Sequence, residues 1–259
     1  MACILRNIVS TALRRSPKIC KINKIEIHQS KLFSTELIAE KVDDAEIVTV
    51  PEGSLEEEDY FQVGRLFTVS DLFDARVHYG HKIGSLNEYM KPYIFGERLG
   101  HLIIDLDKTA RLLRQALNFL AHIAYRDGII LFVSQTPQHT LLIENTAEEC
   151  QQFAHTRRWR RGMFTNSTMM FGAMTRLPDL CIVLNTLTTV LDQHWVISEA
   201  AKMAIPVVGI VDTNCNPNLI TYPIPGNDDS PASIQFYCHL FKTVILRAKE
   251  LRSRDLNKQ

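Results

Sequence analysis

The sequence predicts an α/β fold: an open, mostly parallel sheet with helices on both faces. Three observations lead there. Gly128-Ile129-Ile130-Leu131-Phe132-Val133-Ser134, Asp179-Leu180-Cys181-Ile182-Val183-Leu184-Asn185 and Ile205-Pro206-Val207-Val208-Gly209-Ile210-Val211-Asp212 are nearly unbroken apolar runs of strand length. Such runs suit strands covered on both faces. Between them lie longer stretches with helical periodicity, and 46% apolar content supplies a core. No apolar run approaches the ~20 residues of a membrane span.

The first 35 residues carry seven bases (Arg6, Arg14, Arg15, Lys18, Lys21, Lys24, Lys31) and one acid, Glu26. They lack the continuous hydrophobic region of about 7–15 residues that marks a secretory signal, and read as an amphipathic mitochondrial transit peptide. The alternative is a basic arm that itself contacts nucleic acid. Composition then inverts, with ten acids and one base between residues 36 and 59. Like-charge blocks such as Glu56-Glu57-Glu58-Asp59 resist packing, so residues 36–64 read as a flexible acidic extension. One α/β domain is expected over 65–252, followed by a polar tail at 253–259. With residues 1–34 removed, 22 bases face 28 acids. Any basic surface must therefore be local. The six scattered cysteines include no Cys-x-x-Cys pair, which argues against a disulfide framework or a zinc knuckle.

Along the domain, Thr68–Ala75 suggests a short helix, followed by Val77-His78-Tyr79-Gly80-His81-Lys82. Two histidines three apart can bind metal on a helix face, but a glycine lies between them and no nearby carboxylate completes a set. A loop contacting phosphate or bases, or a structural histidine pair, fits better. Met90–Arg98 is turn-rich, aromatic and basic. His101–Leu106 reads as a buried strand, and a helix over Lys108–Arg126 presents Leu112, Leu113, Ala116, Leu117, Leu120 and Ile123 to the core. After the strand at 128–134, Thr136 as N-cap and Pro137 at the first position open a helix running to about Phe153. A strand over 179–185, a helix over about 192–204 and a strand over 205–212 follow. Ser230 and Pro231 start the last helix, with core face Ile234, Tyr237, Cys238, Phe241, Ile245 and Ala248. Lys242, Arg247, Lys249, Arg252 and Arg254 near its end suit the helix dipole as well as they suit RNA.

The densest chemical signal is Arg157-Arg158-Trp159-Arg160-Arg161-Gly162-Met163-Phe164-Thr165-Asn166. Guanidinium groups grip phosphates bidentately and stack on bases, and an indole offers a stacking face. The run is either a nucleic-acid contact or a solvated loop with its aromatic in the core. Ligands of an open parallel sheet sit beyond the carboxyl ends of the strands. There stand Ser134-Gln135-Thr136, Asn185-Thr186 and Asp212-Thr213-Asn214, yet no phosphate-loop, dinucleotide or nucleophile-elbow motif is present. Asp212, Asp228 and Asp229 could hold magnesium or act as acid and base, but caps and loop braces account for them as readily. No metal or cofactor is assigned.

Several ordered segments carry a family resemblance. Val77-His78-Tyr79-Gly80-His81, Met90-Lys91-Pro92-Tyr93-Ile94-Phe95-Gly96-Glu97-Arg98, Arg158-Trp159 through Gly162 to Thr165-Asn166, Asp212-Thr213-Asn214 and Ile224-Pro225-Gly226-Asn227-Asp228-Asp229 resemble the S-two family of small-subunit ribosomal proteins. With the transit-like leader, the resemblance points to the mitochondrial member. It implies a flavodoxin-like core that serves as a ribosomal scaffold in the mitochondrial matrix, with no enzymatic activity, cofactor, small-molecule substrate or membrane contact. The implied partners are small-subunit rRNA and neighbouring ribosomal proteins. Bacterial members insert a helical hairpin between the Thr-Asn segment and the next strand; here only Ser167–Arg176 intervene. The RNA-binding set expected on this basis is Arg157, Arg158, Trp159, Arg160, Arg161 and Asn166, helped by His78, His81, Lys82, Lys91 and Arg98. A soluble flavodoxin-like enzyme or nucleotide binder with Asp212, Thr213 and Asn214 at its site is the alternative.

Overall fold

A computed structural model describes residues 59–173, 175–189 and 192–257. The expected transit peptide, nearly all of the acidic extension and the last two residues of the tail lie outside the described residues. Thr68 opens α1 (Val69–Asp74) with a reciprocal capping box. Its side chain accepts from the Asp71 N–H while the Asp71 carboxylate accepts from the Thr68 N–H. β1 (Tyr79–Lys82), β2 (Ile94–Arg98) and β3 (His101–Ile104) form an antiparallel sheet of order β1-β3-β2. Asp105 caps α2 (Leu106–Tyr125). The chain continues through β4 (Ile130–Val133), α3 (Thr140–Glu149), β5 (Phe153–His155), α4 (Ser167–Phe171), β6 (Leu180–Val183), α5 (Trp195–Lys202), β7 (Val207–Val211), β8 (Tyr222–Pro225) and α6 (Pro231–Leu256). The second sheet is wholly parallel, with order β5-β4-β6-β7-β8.

Successive side chains of a strand point to opposite faces, and here both faces are buried. Ile130, Phe132, Leu180, Ile182, Val208 and Ile210 pack on one side with residues of α2, α3 and α6. Val133, Cys181, Val183, Val207 and Val211 pack on the other with Val196, Ile197 and Ala200 of α5. The second side has fewer helical residues, and Trp159, Phe164 and Met90 complete its cover. Helices thus lie on both faces, as expected. All six residues expected on the core face of the last helix are buried. Among the described residues, no helix is long and apolar enough to cross a membrane.

Several expectations change. His101–Ile104 belongs to the antiparallel sheet and not to the parallel one. Two parallel strands were not legible as strands. β5 is only three residues long, and its helix ends at Glu149 where a run to Phe153 was expected. β8 contains two prolines, which ordinarily argue against a strand; it lies at the sheet edge, where a missing N–H is tolerated. Thr136 gives no side-chain cap: a 3₁₀ turn over Pro137–His139 comes first, and its hydroxyl accepts from Asn185 Nδ2 at 3.0 Å. Met90–Arg98 is a 3₁₀ segment followed by β2, and Tyr79–Lys82 is a strand where a loop was expected. The boundary expected at 64/65 falls within packed structure, because Phe61 and Val63 are core residues. At the other end, α6 runs through the expected tail to Leu256.

The small sheet docks on the carboxyl edge of the large one through Gly80. A Cβ there would come within 2.5 Å of Thr213 Cγ2 and 3.1 Å of the Leu102 carbonyl oxygen. The close approach lets the His81 N–H donate to Thr213 Oγ1 at 2.9 Å and the Asn87 N–H donate to the Thr213 carbonyl at 2.9 Å. Gly80→Ala is expected to lower stability by about 1–3 kcal/mol through overpacking, read as a shifted urea midpoint at unchanged m. A midpoint equal to wild type would show that the junction yields without cost.

Candidate nucleic-acid interface

The arginine-rich segment leaves the carboxyl end of β5 and folds over the thinly covered face of the sheet. Trp159 is only 5% exposed. Its ring meets His155 and Phe164 edge-on, each at a centroid distance of 4.9 Å, and His194 at 6.1 Å. The indole is therefore an anchor, not the exposed stacking platform that its neighbours suggested. Apolar burial fixes the loop from below, and Glu199 fixes it from the side. The buried Glu199 carboxylate accepts from the Gly162 N–H at 2.6 Å and the Phe164 N–H at 3.1 Å. Gly162 has φ of +93°, a conformation that L side chains rarely adopt.

This anchoring turns Arg157, Arg158, Arg160 and Arg161 outward, all exposed. The Arg161 guanidinium lies over the Trp195 ring, 3.5 Å from its centroid. Among the described residues, none of the four forms an ion pair, whereas Lys108, Arg176, Lys242 and Arg252 each meet a carboxylate. Arg157, Arg158 and Arg160 line a hollow of ≈ 690 Å³ with His155, Met170 and Phe171. Asn166 is exposed at the start of α4 and makes no side-chain cap bond.

The helper residues divide differently. His78 is 7% exposed and stacked on Phe73 at 4.5 Å, and burial lowers its pKa, so packing accounts for most of its surface. His81 lies between two carboxylates, with Nδ1 2.9 Å from Asp212 Oδ2 and Nε2 3.4 Å from Asp229 Oδ2. Its pKa is pushed up to about 9, chiefly by the hydrogen bond to Asp212, against burial and with help from the nearby Asp charges. That positive charge is already matched within the protein. The carboxylates that the histidine segment lacked in sequence arrive from more than 130 positions away. Lys82 and Arg98 are exposed and line the same ≈ 1130 Å³ cleft as His78 and His81. Lys91 is exposed, 3.5 Å from Glu88.

The expected site thus splits into two neighbourhoods along one sheet edge. The arginine loop follows β5 and packs against α5, and the histidine cleft stands beyond β7 and β8. Asp212, Asp228 and Asp229 make the second neighbourhood hostile to a nucleotide phosphate, which counts against the nucleotide-binding alternative there. Glu199, Trp195 and His194 were missed as supports. Trp195 and Glu199 are four apart on one helix, so their shared face was the available signal.

His194 caps α5, its Nδ1 accepting from the Val196 N–H at 3.2 Å. Burial, then nearby His155, lowers its pKa to about 4. An unfolded histidine takes a proton near 6.5, so the folded state gains nothing from protonation until pH approaches 4. Stability should therefore fall as pH drops from 6.5 towards 4, by on the order of 3 kcal/mol for this group. His194→Asn keeps a capping acceptor and should flatten that part of the profile, measured by urea unfolding at successive pH values. An unchanged pH slope would assign the effect to other groups.

Comparison with known proteins gives a family match. The family described as ribosomal protein S2 matches residues 72–177 and 169–248. The chain is 57% identical over 198 residues to the small ribosomal subunit protein uS2m of Bos taurus, covering 76% of this chain and 68% of the relative. It is 37% identical over 226 residues to the small ribosomal subunit protein uS2 of Rickettsia bellii, covering 70% and 76%. The Rickettsia felis protein of the same name is 35% identical over 226 residues, covering 70% and 75%.

Proposed function

The chain belongs to the ribosomal protein S2 family, and from that premise we propose that it is a structural constituent of the mitochondrial small ribosomal subunit. In this reading it binds small-subunit rRNA and neighbouring ribosomal proteins, and it supports subunit assembly and mitochondrial translation. The chain is a ribosomal protein and not an enzyme. The mitochondrial location rests on similarity to the bovine uS2m protein and on the basic, acid-poor leader.

One observation carries the RNA contact. Four exposed guanidinium groups, without ion-pair partners among the described residues, project from a loop that a buried indole and a buried carboxylate hold in place. Elsewhere the surface matches many of its cations with carboxylates; here it leaves them available. Folded RNA recognised by shape and phosphate placement suits such a patch better than a general polyanion does. Arg157, Arg158, Arg160 and Arg161 form its centre, and Asn166 adds a hydrogen-bonding side chain. Lys82, Lys91 and Arg98 form a second, weaker basic rim. Exposed Met169, Met170 and Phe171 occupy the short connection after Asn166 and suit contact with a neighbouring protein. The acidic residues of 36–64 suit a basic protein surface.

Changing Arg157, Arg158, Arg160 and Arg161 together to Glu should block incorporation into the small subunit. The fold should survive, because exposed substitutions cost about 0.5 kcal/mol or less and the Arg161–Trp195 contact about 1 kcal/mol. Sucrose-gradient sedimentation of mitochondrial lysate, blotted for the protein against a small-subunit rRNA probe, reads this directly. Wild type should co-migrate with the subunit and shift when EDTA dissociates ribosomes, while the quadruple variant stays at the top. Normal co-migration of the folded variant would remove the patch from the interface. A wild-type peak only at the top would overturn the ribosomal reading.

A further inference from the structure

The hollow beside the arginine loop carries more than positive charge. Its ≈ 690 Å³ falls within the ~300–1,000 Å³ typical of sites that enclose a small molecule. Arg157, Arg158 and Arg160 supply the cations, and none of its eight lining residues is acidic. Met163, Met170 and Phe171 supply an apolar wall. Phe171 is 53% exposed although it lines the hollow, so its ring is available for stacking. Two buried nitrogen atoms of the lining residues, Trp159 Nε1 and His155 Nδ1, make no hydrogen bond among the described residues. A buried indole N–H ordinarily finds an acceptor. Burial chiefly lowers the His155 pKa, with the charge of Arg157 adding to it and a backbone hydrogen bond opposing. The ring is therefore neutral near pH 7, and its Nδ1 can donate or accept. Phosphate held by the arginines alone satisfies neither nitrogen and covers none of the apolar wall.

We propose that this hollow binds a single unstacked nucleotide of folded RNA, its base against Phe171 and Met170 and its phosphate under Arg157, Arg158 and Arg160. The site rests on the RNA contact proposed above and specifies what the arginines hold. Every base has a flat π face for the Phe171 ring and acceptor atoms on its edge for the indole N–H. The Trp159 Nε1 atom is screened from bulk solvent, so its acceptor arrives with the base, directly or through one held water. Met170 is unbranched and exposed, and a methionine side chain reshapes readily to admit a ring. Unpaired positions in loops and bulges are the ones RNA-binding proteins read, because those bases are free to leave the stack. An acidic side chain would match the guanidinium charge yet leave the Phe171 ring and both nitrogens uncovered. Met169 does not line the hollow and stays available to a protein neighbour.

The test uses intact small subunits purified from mitochondria that carry either the wild-type protein or Phe171→Ala. Ultraviolet irradiation, nuclease digestion and mass spectrometry should find one nucleotide attached to the wild-type chain at Phe171, Met170 or Trp159. Phe171→Ala should sediment with the subunit as wild type does, because the arginines are unchanged. Chemical probing of the rRNA with dimethyl sulfate and a 2′-hydroxyl acylating reagent should then show one unpaired nucleotide, protected in wild type, made about ten-fold more reactive by the variant. The cross-link is read on wild type, so it decides the matter even if the variant fails to assemble. Wild-type subunits in which these residues cross-link to protein, or to nothing, overturn the site. So does an unchanged reactivity profile in a variant that sediments normally, and that result leaves the arginine contact standing. Absence of the wild-type chain from the subunit overturns the contact itself and the nucleotide site with it.

Discussion

A parallel sheet whose strands are apolar on both sides must be covered twice, and this chain supplies unequal cover. Residues of α2, α3 and α6 pack against one face, including Leu113, Leu117, Leu120, Phe241 and Ile245. On the other face α5 is joined by a loop, and that loop is closed by Trp159 and Phe164. Burying an aromatic side chain contributes about 1.5–3 kcal/mol, enough to hold a short segment against the entropy of leaving it loose. Glu199 then satisfies two backbone N–H groups that would otherwise be stranded near the core. The consequence reaches the surface. With Trp159 pulled in, its arginine neighbours on either side have nowhere to go but out.

The same edge carries opposite electrostatics at its two ends. Beyond β5 stand guanidinium groups without ion-pair partners among the described residues; beyond β7 and β8 stand Asp212, Asp228 and Asp229 around His81. Screening at physiological salt acts over about 8 Å, and the two groups leave the edge from strands that are not neighbours in the sheet. The acidic end therefore does little to neutralise the basic one. A chain with no net charge can still present a strongly positive patch, provided that the two signs are kept apart in this way. A phosphate approaching the edge meets its strongest attraction at the arginine end, because the carboxylates offset Lys82 and Arg98 at the other.

What could be read in the sequence follows from the range of each interaction. The strands at 130–133, 180–183 and 207–211 were legible because burial on both faces writes an unbroken apolar run. So was α6, since Ile234, Tyr237, Phe241, Ile245 and Ala248 repeat at helical spacing. Tyr222-Pro223-Ile224-Pro225 was not, because only its position at the sheet edge makes two prolines acceptable. The membership of His101–Ile104 in a separate antiparallel sheet depends on pairing with Tyr79–Lys82 and Ile94–Arg98, which periodicity does not encode. The arginine run was conspicuous, but the direction of Trp159 depends on a hollow built by His155, Phe164 and His194. The pairing of His81 with Asp212 spans 131 positions, so local reasoning saw a histidine without acids.

A loop built this way also has an advantage in binding that a loose basic tail lacks. Each rotamer-rich side chain immobilised at an interface costs about 0.5–1.5 kcal/mol, and ordering backbone adds about 1–2 kcal/mol per residue. Here the backbone from Trp159 to Phe164 is already held by core packing and by Glu199, and Arg161 is already stacked on Trp195. The remaining ordering cost lies mainly in Arg157, Arg158 and Arg160. The residues that stabilise the fold and those left exposed are interleaved in sequence but separate in space. Charge at the tips can change with little effect on the core, whereas loss of the indole beneath them would disturb both.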